Sequence, residues 1–133
     1  MNAHPGEIRM ISGDMPVLEP RGDGSIWAHP SPWNGKENIG NRISAPIGGV
    51  VFLEQGKENV LSRPPVAELL RPVFCQFITR LDTEEEIRSL GCLADRMFSA
   101  LPVWKLVNVG DAASTELLRS AFMERLSALD RRA

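Results

Sequence analysis

The chain has 133 residues, the size of one domain, and such a domain buries roughly two-thirds of the surface that its unfolded form exposes. Its 43% hydrophobic content is enough for a real core, while a net charge of −2 and a pI of about 5.7 leave no basic footprint for nucleic acid. No signal-peptide pattern opens the chain, and no apolar run approaches the roughly 20 residues of a membrane span, so a soluble cytoplasmic protein without membrane contact is expected.

In chain order, Glu7 to Ser12 (EIRMIS) reads as a first strand. Pro16 to Pro20 (PVLEP) and Ser25 to His29 (SIWAH) then flank Arg21-Gly22-Asp23-Gly24, a β-hairpin signal because Asp and Gly tolerate positive φ. A loop rich in Asn, Gly and Pro follows, His29 to Arg42 (HPSPWNGKENIGNR). Val50 to Leu53, with glycines on either side, fits a strand buried on both faces.

Beyond Arg63 the apolar spacing changes from two to about 3.6 residues. Val66, Leu69, Leu70, Val73, Phe74, Phe77 and Ile78 share one helical face, and Pro72 predicts a kink or break near Arg71. A second helix starts at Thr83, which forms a capping box with Glu86. Its apolar face is Ile87, Leu90, Ala94, Met97, Phe98 and Leu101. Pro102 to Val109 returns to strand character, with Trp104 in the core. Asp111 then caps a last helix whose apolar positions are Leu118, Ala121, Phe122, Leu126 and Leu129. The expected fold class is α/β, a mixed sheet with α+β-like segregation: short N-terminal strands, and three helices toward the C-terminus. Residues 1–133 read as a single domain with flexible ends at 1–5 and 131–133. Cys75 and Cys92 fall in apolar helical contexts without metal-ligand spacing and are expected as buried reduced thiols.

Chemistry concentrates in two places. Asp14 follows an apolar run and precedes Met15-Pro16, so it either caps a turn or stands at a strand's carboxyl end, where ligands gather. In the loop, Gly35 and Gly40 free the backbone to aim N–H groups at an anion, and Lys36 and Arg42 add charge. Asn34, Asn38 and Asn41 add neutral donors, and Trp33 offers a flat wall unless it folds onto the sheet. The alternative for the whole loop is a solvent-exposed turn, since the spacing matches no Walker-type motif. His4 looks incidental. His29 is a general base, a ligand or simply a packed or surface imidazole. No Ser-His-Asp or Cys-His arrangement is legible.

Taken together, GEIRMISGDMPVL, SPWNGKENIGNRISAPIGGVVFLEQGKEN and LPVWKLVNV followed by a helix resemble the C-terminal part of a bacterial kinase-like family. That family comprises the proteins related to HPr kinase/phosphorylase and phosphoenolpyruvate carboxykinase. The resemblance spans about Gly6 to Phe122. It implies part of a P-loop sheet that binds ATP and Mg²⁺ and phosphorylates a protein or small-molecule acceptor. Asp14 matches the second member of the family's acidic pair, as catalytic base or Mg²⁺ ligand, and Gly13 stands where the first acid would be. Gly35, Lys36, Asn41 and Arg42 match the segment that approaches the nucleotide phosphates, and Arg42 is the stronger of the two cations. The family's Walker A loop is expected about one helix before Asp14, and no G-x-x-x-x-G-K-[ST] run occurs in the 13 residues there. The resemblance therefore implies an ATP-dependent phosphotransferase portion that is inactive as an isolated chain, unless a partner chain supplies the P-loop. The alternative is a non-catalytic binding or assembly module that oligomerises or pairs with a partner to cover an exposed sheet edge.

Overall fold

The computed structural model describes residues 6, 8–33, 35, 36, 38, 40–77 and 82–131, without the side chain of Leu129. The positions singled out above as His4, Glu7, Asn34, Ile78 and the Leu129 side chain lie outside the described residues. Among the described residues, five short strands, two helices, a sixth strand and a third helix follow one another, which is a mixed α and β arrangement with two small sheets. The chain divides into two compact units. One is built from residues 2–50 and 66–102, the other chiefly from residues 51–65 and 103–133.

In the first unit, β1 (Val17–Pro20) and β2 (Ile26–His29) form the expected antiparallel hairpin, with Val17 opposite His29 and Pro20 opposite Ile26. The turn is closed by Arg21 N–H donating to Ser25 O at 2.8 Å and Gly24 N–H to Arg21 O at 3.2 Å. Gly24 turns at φ 87°, a conformation that costs a glycine little. The Asp23 carboxylate accepts from both the backbone N–H and the hydroxyl of Ser25, and these bonds hold its pKa below the ordinary value. A third strand, β3 (Ala45–Pro46), pairs antiparallel with β2 and was not anticipated. Two residues are too few to show an alternation, and Pro46 is tolerated because β3 lies at the edge of the sheet.

Over residues 8–12, the described part of the expected Glu7 to Ser12 strand, only isolated bridges form. Among the described residues, Ser12 makes only an isolated antiparallel bridge, to Gly40. Its partner segment is a loop that takes positive φ at Gly35 and Asn38, so a ladder has no extended chain to run along.

Two helices complete this unit. In α1 (Val66–Gln76) the apolar stripe buries Leu69 and Val73, whereas Val66, Leu70 and Phe74 remain exposed. The helix runs through Pro72 without a break, since a missing N–H removes one bond of a ladder that flanking turns maintain. In α2 (Glu84–Ala100) the capping box forms as expected: Glu86 N–H donates to Thr83 Oγ1 at 3.2 Å, and Thr83 N–H donates to Glu86 Oε2 at 3.0 Å. Leu90, Ala94 and Met97 are buried, while Ile87, one turn before them, is exposed. Cys75 and Cys92 are free and exposed, contrary to the expected burial. Each lies two residues beyond a buried position, Val73 or Leu90, and two residues rotate a helical side chain by about 200°, away from the stripe.

In the second unit, β4 (Val50–Gln55), β5 (Val60–Ser62) and β6 (Val103–Asn108) form a sheet in the order β4-β6-β5. β5 and β6 are antiparallel, with Leu61 opposite Leu106. β6 is central, and its alternation puts Trp104 (2% exposed) and Leu106 into the core. β4 was expected to be buried on both faces, but it is an edge strand, and Leu53 is 71% exposed. An apolar run identifies a strand and does not say which place in the sheet it occupies. α3 (Ala112–Asp130) packs on β5 and β6, and Phe122 meets the Trp104 ring at 4.8 Å between centroids, tilted by 52°. Asp111 caps α3 as expected, accepting from Ser114 N–H at 3.0 Å and from the Asn59 amide at 2.7 Å. Those two bonds hold its carboxyl below the ordinary carboxylate range. Among the described residues, no helix is long and apolar enough to cross a membrane.

Trp104→Ala should lower the unfolding free energy by about 3–5 kcal/mol, the usual result of truncating a buried tryptophan, measured by urea denaturation. Thr83→Ala should cost about 1 kcal/mol through loss of the cap, with a matching loss of helical signal in far-UV circular dichroism.

Candidate functional site

The loop that leaves β2 is fastened back onto residues 10–14. Asn41 N–H donates to Ile11 O at 3.1 Å, and its side-chain amide donates to Met10 O at 2.8 Å. Ser12 Oγ donates to the Trp33 carbonyl at 3.2 Å, and buried Ser31 donates to the same carbonyl at 3.2 Å. Further in, Asn38 N–H donates to Gly35 O at 3.3 Å, and positive φ at Gly35 (67°) and Asn38 (48°) allows the tight reversal.

This fastening brings Asp14 against Gly35. A Cβ built on Gly35 would stand 3.3 Å from Asp14 Cβ, a tight approach, and the φ of 67° there favours glycine. Asp14 and Gly35, 21 positions apart in the chain, are thus neighbours. Lys36 and Arg42 follow Gly35 and Asn41 directly and are exposed, and among the described residues neither forms a hydrogen bond or ion pair with Asp14. Asn41 acts as a strap, with part of its donor capacity spent on Met10. Trp33 is 60% exposed and does not fold onto the sheet, so its ring remains open to a ligand.

A lone exposed carboxylate does not make a Mg²⁺ site. Among the described residues, no group of three or more His, Cys, Asp and Glu gathers to hold a metal. Mg²⁺ is commonly held by one or two carboxylates together with substrate phosphates, and Asp14 fits it only in that capacity.

A second constellation, illegible in the sequence, lies on one face of the β1-β2-β3 sheet. Residues opposite each other in a ladder share a face, as do residues two apart in a strand, so Glu19, Trp27 and His29 point the same way. Extending the pairing of Ala28 with Ala45 by one step sets Ser44 opposite His29. Ile47 N–H donates to Ile26 O at 2.8 Å, which makes His29 and Ser44 a non-hydrogen-bonded pair, the kind in which side chains approach most closely. The result is a continuous polar row. Ser44 Oγ lies 2.8 Å from His29 Nδ1, and His29 Nε2 lies 2.8 Å from Glu19 Oε2. Arg21 donates from Nε to the same carboxylate oxygen at 3.1 Å, while its guanidinium stacks 3.9 Å above the Trp27 ring. Trp27 is fixed in turn by Nε1 donating to Ser25 Oγ. The His29 bond, and after it the Arg21 bond, hold the Glu19 carboxyl below its ordinary range.

His29 was the one member of this row visible as a candidate. The hairpin turn alone could have paired it with Glu19, but Ser44 reaches it only because a two-residue strand joins the sheet. Comparisons of the chain with family models, curated proteins and solved structures returned no match.

Because its folded pKa is depressed, Glu19 contributes stability that is present above its ordinary value of 4.5 and is lost as pH falls through the lower folded value. The stability difference between the native chain and Glu19→Gln, followed by urea denaturation, should shrink as pH falls below 4.5. An undiminished gap at the lowest pH would show that the carboxylate charge contributes nothing.

Proposed function

We propose that the chain is the phosphate-facing C-terminal portion of an ATP-dependent phosphotransferase of the HPr-kinase-like kind, without turnover in isolation. The observation that carries this reading is the fastening of the loop onto residues 10–14, with Asp14 in contact range of Gly35. Two exposed cations and a carboxylate alongside a loop that turns at Gly35 have the chemistry for a nucleotide's phosphates.

In this reading Lys36 and Arg42 balance phosphate charge, and Arg42 can grip two oxygens at once. Gly35 lets the backbone approach, and Asn41 keeps the loop in position. Asp14 accepts the proton of an acceptor hydroxyl, or contacts a Mg²⁺ ion that the phosphates themselves carry in. Positioning and charge neutralisation at the β and γ phosphates dominate phosphoryl transfer, and the sequence holds no Walker A run to supply the cradle. ATP therefore binds weakly here, and turnover requires a P-loop from elsewhere. The acceptor is a protein or small-molecule hydroxyl.

Isothermal calorimetry with MgATP tests the reading. Binding tighter than about 1 mM, lost in both Arg42→Ala and Asp14→Asn, is the expected result. Absence of heat with the folded chain would overturn it.

Edge strand β4 with its exposed Leu53 favours a second reading, a non-catalytic assembly module. That reading requires a dimer or larger species by sedimentation, together with no nucleotide binding.

A further inference from the structure

With a neutral His29 imidazole, the polar row on the β1-β2-β3 sheet takes a single proton arrangement. An ionised carboxylate only accepts hydrogen bonds, so Glu19 requires the hydrogen of a neutral imidazole to sit on His29 Nε2. Nδ1 then carries the lone pair, and its partner at 2.8 Å is the Ser44 hydroxyl, which donates to it. Glu19 is held ionised by the His29 bond and after it by Arg21, and Arg21 is itself held over Trp27. His29 is partly sheltered, with its side chain 27% exposed, whereas Ser44 is open to solvent. Nucleophile, base and orienting acid therefore stand in the order that activates a serine: hydroxyl to imidazole, imidazole to carboxylate.

We propose that Ser44 is a base-activated nucleophile that accepts the acyl group of a carboxylic ester with a good leaving group, with His29 as general base and Glu19 as positioning residue. This inference is independent of the nucleotide reading. In the first step Ser44 Oγ attacks the ester carbonyl carbon while its proton passes to His29 Nδ1. The carbon–oxygen bond to the leaving group breaks, and the departing alkoxide or phenoxide takes that proton and leaves as the alcohol. In the second step water attacks the Ser44 ester, again losing a proton to His29, and the proton returns to Ser44 Oγ as the carboxylic acid leaves. Neither step requires an oxidant or any further co-reactant.

The test uses the full chain and p-nitrophenyl acetate, with release of p-nitrophenol followed by absorbance and the acetylated position mapped by peptide mass spectrometry. Ser44 should acquire acetyl on the order of 100-fold faster than the other exposed serines, as general-base assistance provides. Ser44→Ala, an exposed change, should abolish that label. Glu19→Ala should slow it about as much as His29→Gln, because Nε2 then has no acceptor to hold the ring hydrogen, whereas Glu19→Gln, whose amide oxygen can accept from both Arg21 and His29, should retain most of it. The ¹⁵N shifts of the His29 ring report the hydrogen directly: on Nε2 in the native chain, distributed over both nitrogens in Glu19→Ala. If His29→Gln does not fold, Glu19→Ala at an exposed side chain decides the matter alone. Labelling of Ser44 no faster than of other serines, labelling unaffected by Glu19→Ala, or acetyl found on His29 instead would overturn the proposal.

Discussion

The pairing register of the β1-β2-β3 sheet is the constraint on which the first compact unit depends. Side chains alternate across a strand, so a slip of one residue would carry Ile26 out of the core and turn Trp27 and His29 inward. The Arg21 to Ser25 turn prevents that slip with two backbone hydrogen bonds, with Asp23 holding Ser25 from the side. Helix α2 adds a further tie, Arg96 donating to the Arg21 carbonyl. One register therefore buries the apolar side of β2 and assembles the polar row on the other side.

The same register joins the two candidate sites. His29 ends β2, the chain leaves through the loop of Trp33, Gly35 and Lys36, and it returns to the sheet at Ser44. The hydrogen bond between His29 and Ser44 thus closes the loop at its base, while Asn41 and Ser12 fasten its body to residues 10–14. Holding the loop at both levels orients its backbone without a regular ladder.

The second unit depends on a single aromatic anchor. Trp104 alternates into the core from the central strand, Phe122 of α3 covers one side of its ring, and the Arg63 guanidinium stands 5.5 Å from the ring centroid. The edge strands β4 and β5 bury less, and β4 is steadied by the Lys105 ammonium on the Glu54 carboxylate at 2.6 Å. That ion pair is solvent-exposed and contributes little beside the burial of the indole.

Features that rest on groups a few residues apart were legible before any fold was known. The Thr83 and Glu86 capping box, the Asp111 cap and the Asp23-Gly24 turn each close over two to four residues, so local chemistry suffices to specify them. The expected burial of Cys75 and Cys92 was wrong, although their rotation away from Val73 and Leu90 follows from helical spacing alone. Tertiary structure alone decided that β4 is an edge and β6 a centre, that Asp14 rests against Gly35, and that Ser44 meets His29 across 15 positions of chain. Those outcomes depend on which strands pair and in what register. That choice is made by the burial of side chains distant in the sequence, and periodicity within one segment carries no record of it.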